Sequence, residues 1–230
     1  MKSPAIRALT LDLDDTLWPI APAIARAEAV LHGWLVREAP ATARAFDIAA
    51  LRALRDGVAR EAPAIAHDFS AVRRESLRRA LVAAGDDEAL ADAAFEAFFA
   101  ARHELELYPE VASALQRLAA RFPLMALSNG NADIGRTPLA RWFTGALSAR
   151  EFGIGKPDPR IFHEACRRLG CAPAEVLHVG DDLELDALAA RSAGLQTLWL
   201  RRDVEADAAE VEHGLATVRC LRSLAEHLGC

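Results

Sequence analysis

Basic clusters, paired cysteines and long apolar runs are all missing from this 230-residue chain. Lys and Arg number 27 against 33 Asp and Glu, and nothing denser than Arg73-Arg74, Arg167-Arg168 or Arg201-Arg202 concentrates positive charge. A formal charge of −6 without a basic stripe argues against nucleic acid as a partner. Cys166, Cys171, Cys220 and Cys230 form no CxxC pair and no zinc-type Cys/His spacing, so a thiolate metal site is not expected. Met1 to Arg7 hold no apolar signal core, and no uninterrupted apolar stretch reaches bilayer-spanning length. The expectation is a soluble, reducing, cytoplasmic setting with no membrane partner. Internal repeats and low-complexity linkers are likewise absent, and no feature of the sequence sets an oligomeric state.

What the chain does have is acid in costly places. Asp12-Leu13-Asp14-Asp15-Thr16 follows directly on the apolar stretch Ile6 to Leu11. Acidic residues are depleted in strands, so a cluster where a buried strand emerges is expensive unless a metal or a reaction uses it. In extended backbone, side chains alternate faces, which lets Asp12 and Asp14 point into one cavity while Leu13 points away.

Three apolar segments of strand length end in polar or glycine-bearing turns: Ile6 to Leu11, Pro123 to Leu127 before Ser128-Asn129-Gly130, and Val176 to Val179 before Gly180-Asp181-Asp182. A fourth, Gln196 to Leu200, follows Gly194. Helical patterns at Glu110 to Arg121, Pro159 to Leu169 and Leu183 to Ser192 lie between them. Strand alternating with helix predicts an α/β fold, a Rossmann-like parallel sheet with right-handed crossovers and ligands at the carboxyl ends of its strands. The stretch 20–107 breaks the rhythm. It is rich in alanine, offers no convincing strand, and predicts four helices at roughly 22–37, 45–60, 69–84 and 87–102. The expected division is a Rossmann-like core of 1–19 and 108–230 with an inserted all-helical unit of 20–107.

Each polar cluster follows a predicted strand, so a parallel sheet gathers Asp12, Asp14, Ser128, Lys156, Asp181, Asp182 and Asp186 along one edge. Lys156-Pro157 precedes Asp158 and Pro159, suited to the N-cap and first helical position. That pins the lysine to a strand-to-helix junction. Ser128, Asn129 and Gly130 offer a hydroxyl and backbone N–H donors at a loop, a geometry that cradles phosphate oxygens. His32, His67, His103, His163, His178, His213 and His227 are scattered with no serine or cysteine nucleophile to serve. Core or surface placement is expected for all but His67, which opens the polar break His67-Asp68-Phe69-Ser70.

Leu11-Asp12-Leu13-Asp14-Asp15-Thr16, Leu127-Ser128-Asn129-Gly130, Gly155-Lys156-Pro157 and Gly180-Asp181-Asp182 with Asp186 together resemble the four ordered motifs of the haloacid dehalogenase superfamily. The resemblance implies that Asp12 is a nucleophile toward phosphorus and Asp14 a general acid and base. An anionic phosphate about 4 Å from Asp12 is repelled by roughly 4 kcal/mol at an effective dielectric of about 20, so positive charge is required. The resemblance supplies it as Mg²⁺, held by Asp12, the Asp14 backbone carbonyl, Asp181 and Asp182, and as Lys156. Asp182 stands at a position that varies in the family, open to a metal ligand, an acid behind the ligands or a helix cap, and Asp186 is expected to orient Lys156 or the loop rather than to touch the metal directly. The resemblance also makes the helical unit of 20–107 a cap over a catalytic core. Substrate contacts are assigned to Ser128, Asn129, Gly130 and Lys156, and on the cap side to His67 and Arg73.

The implied activity is Mg²⁺-dependent hydrolysis of a small phosphorylated metabolite through an aspartyl-phosphate. Three alternatives stand beside it: a phosphomutase, an L-2-haloacid dehalogenase, and a non-catalytic phosphate-binding module. The dehalogenase branch attacks carbon without metal and lacks the second aspartate of the first motif, whereas Asp14 is present here. The chain further resembles the bacterial flavin mononucleotide and 5-amino-6-(5-phospho-D-ribitylamino)uracil phosphatase subgroup, through Leu9 to Leu17, Ile65-Ala66-His67-Asp68, Ser128 to Asn131 and Leu177 to Leu183.

Overall fold

A computed structural model describes residues 4–202 and 214–230, so His213 lies outside the described residues. Strands β1 (Ala8–Leu11), β2 (Leu124–Ser128) and β4 (Val176–Gly180) are buried at every position. Runs this apolar suit central strands of a parallel sheet covered on both faces. With β3 (Gly145–Ser148), β5 (Gln196–Leu200) and β6 (Ala216–Val218) they form a six-stranded sheet among the described residues, ordered β3-β2-β1-β4-β5-β6 and parallel throughout. The chain leaves β1 toward β2 and β3, then returns to the other side of β1 as β4. That reversal opens the crevice at the carboxyl ends of β1 and β4 where sheets of this kind bind ligands.

Helices are numbered in chain order: α1 (Ile20–Glu38), α2 (Pro40–Ala45), α3 (Ile48–Glu61), α4 (Phe69–Ala84), α5 (Ala91–Arg102), α6 (Val111–Ala119), α7 (Ala149–Phe152), α8 (Pro159–Leu169), α9 (Ala189–Ser192) and α10 (Leu221–His227). The chain divides into two compact units, a sheet unit of Met1–Pro19 with Leu107–Cys230 and a helical unit of Ile20–Glu106. In the sheet unit, Met125, Leu127, Leu147, Ile161, Phe162 and Cys166 pack in one cluster, placing α8 on the sheet. In the helical unit, Leu31, Leu35, Leu77, Leu81, Phe95 and Phe98 share a core. Burying each large side chain there contributes about 1.5–3 kcal/mol.

Local chemistry sets the element ends. Asp158 caps α8 by accepting from the Arg160 N–H at 2.9 Å, with Pro159 in the first turn. Asp68 caps α4, accepting from Ser70 and Ala71, and Gly85 ends it in the left-handed region at φ 83°. Three details differ from the sequence expectation. A short helix, α2, starts at Pro40 between the first two expected helices of the insert, and Asp47 then caps a separate α3. The expected helix 183–192 begins as a π-helix, Leu183–Leu188, before α9. The strands β3 and β6 are additional to those expected: β3 buries only Leu147 and β6 no residue fully, so neither carries an apolar run.

Candidate active site

At the end of β1 the Asp12 N–H donates to the Val179 carbonyl at 2.9 Å, so the backbone of the first acid is locked to β4. The chain then turns sharply. Asp15 takes φ 58°, its N–H donates to the Trp18 carbonyl at 2.8 Å, and buried Trp18 donates its Nε1–H to Asp14 Oδ1 at 2.8 Å. Asp14 Oδ2 lies over the β2 loop, 2.5 Å from where a Cβ on Gly130 would stand. Any side chain at Gly130 would displace that carboxylate. The turn, and not a continued extended strand, therefore sets the direction of Asp14.

Asp12 meets Lys156 across 144 residues of sequence, with Lys156 Nζ donating to Asp12 Oδ1 at 2.6 Å and to Asp186 Oδ1 at 2.5 Å. Asp12, Asp181 and Asp186 each present a carboxylate oxygen, and the three oxygens lie within 4.8 Å of one another. In an octahedral site with oxygen donors near about 2.1 Å, adjacent ligands stand roughly 3 Å apart and opposite ones roughly 4 Å, so small side-chain shifts would bring such oxygens onto one ion. Burial lifts the Asp181 carboxyl to about 6, against the hydrogen bond from Thr16. Burial also pushes Asp12 upward, with Lys156 pulling the other way and Asp186 adding to the rise. Burial would raise Asp186 too, but Lys156 and His178 hold it below the ordinary carboxylate range. Lys156 stays above its ordinary value because Asp12 and Asp186 outweigh its burial. One ammonium shared by crowded carboxylates leaves negative charge that a hard divalent cation suits.

Several residues hold this arrangement without entering it. Thr16 Oγ1 donates to Asp181 Oδ1 at 2.8 Å, and Trp199 Nε1 donates to the Asp181 carbonyl at 2.8 Å. Arg202 donates to the Thr16 carbonyl at 2.6 Å and to Glu110 Oε1 at 2.9 Å, with its guanidinium 3.6 Å from the Tyr108 ring centroid. Asp186 does both of the tasks expected of it, accepting from Lys156 and from the Asp182 N–H at 3.1 Å. A Cβ at Gly180 would overlap the Asp186 carboxylate, which explains a glycine at the end of β4.

Some expected roles change. Asn129 uses both ends of its amide on Lys156, accepting from the Lys156 N–H at 2.7 Å and donating to the Lys156 carbonyl at 2.7 Å. It is a clamp on the lysine loop, with one amide N–H and one carbonyl lone pair spent there. Gly130 donates its N–H to Ser128 Oγ at 2.9 Å, which leaves the Ser128 hydroxyl proton to be donated elsewhere. Asp182, of the roles open to it as ligand or cap, takes the cap, accepting from the Glu184 and Leu185 N–H groups at 2.8 Å, and is not in the oxygen trio. Asp14 is outside that trio as well, its carboxylate being drawn to Trp18.

His67 is half-buried in the turn before α4, within the helical unit. Arg73 is buried there, its guanidinium 3.7 Å from the Phe98 ring centroid and 3.8 Å from Glu28. Burial, and then Arg55, bring it down to about 10. Those contacts make Arg73 part of the unit's own packing.

Asn129→Ala should lower kcat by about ten- to a hundredfold with little change in folding, because residues that orient a site cost that much when removed. Steady-state kinetics beside a thermal melt measures it, and unchanged kcat would contradict the clamp.

The model of haloacid dehalogenase-like hydrolases matches residues 6–194, and the chain belongs to that family of hydrolases. Among curated relatives it is 35% identical to the Escherichia coli 5-amino-6-(5-phospho-D-ribitylamino)uracil phosphatase YigB, over 85% of this chain and 84% of that one. It is also 35% identical to phosphoserine phosphatase of Thermus thermophilus, over 91% and 94%. Among solved structures, one described as 2-haloacid dehalogenase from Pseudomonas syringae pv. tomato DC3000 superposes with a TM-score of 0.89 at 40% identity, covering 97% of this chain and 98% of that one. No helix among the described residues is long and apolar enough to cross a membrane.

Proposed function

We propose that the protein is a Mg²⁺-dependent phosphomonoester hydrolase acting through an aspartyl-phosphate on Asp12. The observation that carries the reading is the Lys156 ammonium 2.6 Å from Asp12 Oδ1 inside a cluster of carboxylates that also contains Asp181. Asp12, Asp181 and the Asp14 backbone carbonyl would hold the ion, whose charge offsets the repulsion between Asp12 and the phosphoryl oxygens.

The chain's own groups account for the remaining steps. An Asp12 oxygen attacks phosphorus, the P–O bond to the alcohol breaks, and Asp14 gives its proton to the departing alkoxide. Asp14, now ionised, takes a proton from the water that attacks the aspartyl-phosphate, releasing inorganic phosphate and restoring Asp12 and the protonated Asp14. Lys156 and the Ser128 hydroxyl donate to the phosphoryl oxygens, where charge is spread in the transition state. The helical unit acts as the cap, with His67 the cap-side substrate contact.

The substrates are small phosphorylated metabolites, and the names of the E. coli and Thermus relatives support that class. Flavin mononucleotide and 5-amino-6-(5-phospho-D-ribitylamino)uracil come first in the set to assay, in keeping with a cytoplasmic enzyme.

The 2-haloacid dehalogenase likeness favours a second reading, carbon–halogen hydrolysis by the same aspartate. Asp14 decides between them, since a leaving alkoxide needs a proton and a leaving halide does not. With Mg²⁺, the protein should release phosphate from p-nitrophenyl phosphate and lose that activity on chelation. Chloride release from L-2-chloropropionate with no phosphate release from any phosphomonoester would reverse the assignment.

A further inference from the structure

Two polar side chains lie inside the sheet below the nucleophile, in strands that are otherwise apolar. Thr10 and His178 are register partners in the β1–β4 pair and are 0% and 1% exposed. Buried hydroxyl and imidazole groups are costly unless their hydrogen-bonding capacity is used. Here it is used on the site. Thr10 Oγ1 lies 2.8 Å from His178 Nδ1, and His178 Nε2 lies 3.1 Å from Asp186 Oδ1. The same Asp186 oxygen receives Lys156 at 2.5 Å, and Lys156 reaches Asp12 at 2.6 Å. A continuous line of hydrogen bonds connects the sheet interior to the nucleophile.

We propose that His178 is a positioning residue for the reaction: its Nε2–H, set by the Thr10 hydroxyl on Nδ1, holds Asp186 so that Lys156 stays aimed at Asp12. This rests on the phosphatase reading of the site. A carboxylate oxygen has two lone pairs, and on Asp186 Oδ1 one takes Lys156 and the other His178. Oδ2 takes the Asp182 N–H at 3.1 Å. Three donors fix the plane of the carboxylate, and that plane fixes the end of a long, flexible lysine. The imidazole is itself immobilised, its ring edge-on to Phe162 with centroids 5.2 Å apart. Burial favours the neutral ring, and Lys156 works in the same direction against the pull of Asp186. A neutral imidazole has one donor and one acceptor, so a hydroxyl proton given to Nδ1 puts the ring proton on Nε2. A buried network in which every member is satisfied specifies one arrangement.

A histidine that merely fills space would give different kinetics. The full-length chain is assayed with Mg²⁺ and p-nitrophenyl phosphate as wild type, His178→Phe, His178→Gln, Thr10→Val and Asp186→Asn, with thermal melts and ¹⁵N NMR of the imidazole. Phe keeps a ring against Phe162 without nitrogens, and Gln returns a donor near the position of Nε2. The expected ring is neutral and protonated at Nε2. His178→Phe should lose about tenfold in kcat with KM within about twofold, and His178→Gln should return to within about threefold of wild type. In the Asp186→Asn background, His178→Phe should add less than about twofold, because its effect passes through Asp186.

A folded His178→Phe with wild-type kcat, or one that loses equally in both backgrounds, overturns the proposal. So does a Thr10→Val protein with unchanged tautomer and unchanged kcat, a comparison that stands even if His178→Phe does not fold. If the wild type releases no phosphate, the phosphatase reading has failed. The tautomer and its dependence on Thr10 still test the hydrogen-bonded line by itself.

Discussion

Asp12→Asn should leave the protein folded and its phosphatase activity lower by about 10⁴-fold or more, the scale of loss when a nucleophile is removed from a working site. Asparagine matches aspartate in shape and can still accept from Lys156, so geometry is kept while the nucleophile is lost. The effect on stability should run the other way. Burial raises the Asp12 carboxyl, which means the folded state disfavours its charged form. A neutral amide removes that penalty, so the melting temperature without metal should be equal to or higher than wild type. Activity above about one per cent of wild type would remove Asp12 from the role of nucleophile.

Lys156→Met should be the most destabilising substitution at the site, costing about 3–5 kcal/mol at neutral pH, because it leaves buried carboxylates without their counter-charge. The pH dependence has a definite sign. In the wild type, Lys156 and His178 hold Asp186 below the ordinary range despite burial. A depressed carboxylate contributes stability above its unfolded value, and that contribution is lost as pH falls through the folded value. Without Lys156, burial dominates and raises Asp186, so the folded variant binds more protons than the unfolded chain and is stabilised as pH falls. The gap between wild type and variant should therefore widen from about pH 5 to about pH 8 in denaturant titrations. A gap that narrows over that range would mean that the lysine is not the counter-charge.

How much of this was legible in sequence depended on unbroken apolar runs and on local chemistry. Wholly buried apolar strands followed by or ending in acid or serine mark β1, β2 and β4, and Asp158-Pro159 marks the start of α8; these place Asp12, Ser128, Lys156 and Asp181 on one edge. The strands β3 and β6 lack such a run, β3 burying only Leu147 and β6 no residue fully, so neither stands out from the loops beside it. Asp14 does come close to Asp12, as expected, but the left-handed Asp15 and the Trp18 bond that aim it are turn features that periodicity does not carry.

Asn129 and Asp182 sit at the expected places but use their side chains on backbone N–H and C=O groups, a competition that Asn and Asp commonly win near turns and helix starts. His178 left one trace: a titratable residue in the middle of Val176-Leu177-His178-Val179, opposite a threonine in β1. Read as a lone histidine it says little, and only strand register shows that it has a partner.

Phosphatase and dehalogenase likenesses in one chain are physically coherent. The framework that brings Asp12 and Lys156 together serves attack on phosphorus or carbon alike, and the groups added around it choose between them. In the proposed reaction Asp14, held over Gly130 by Trp18, would serve a leaving group that must be protonated.

The most direct test is to find the phosphoryl group. Acid-quenched protein, taken during turnover of a phosphomonoester with Mg²⁺ and digested for mass spectrometry, should carry phosphate on the peptide containing Asp12. It should accumulate further in Asp14→Asn, where water is no longer activated. Turnover with phosphate on another residue, or with no adduct in either protein, would contradict nucleophilic attack by Asp12.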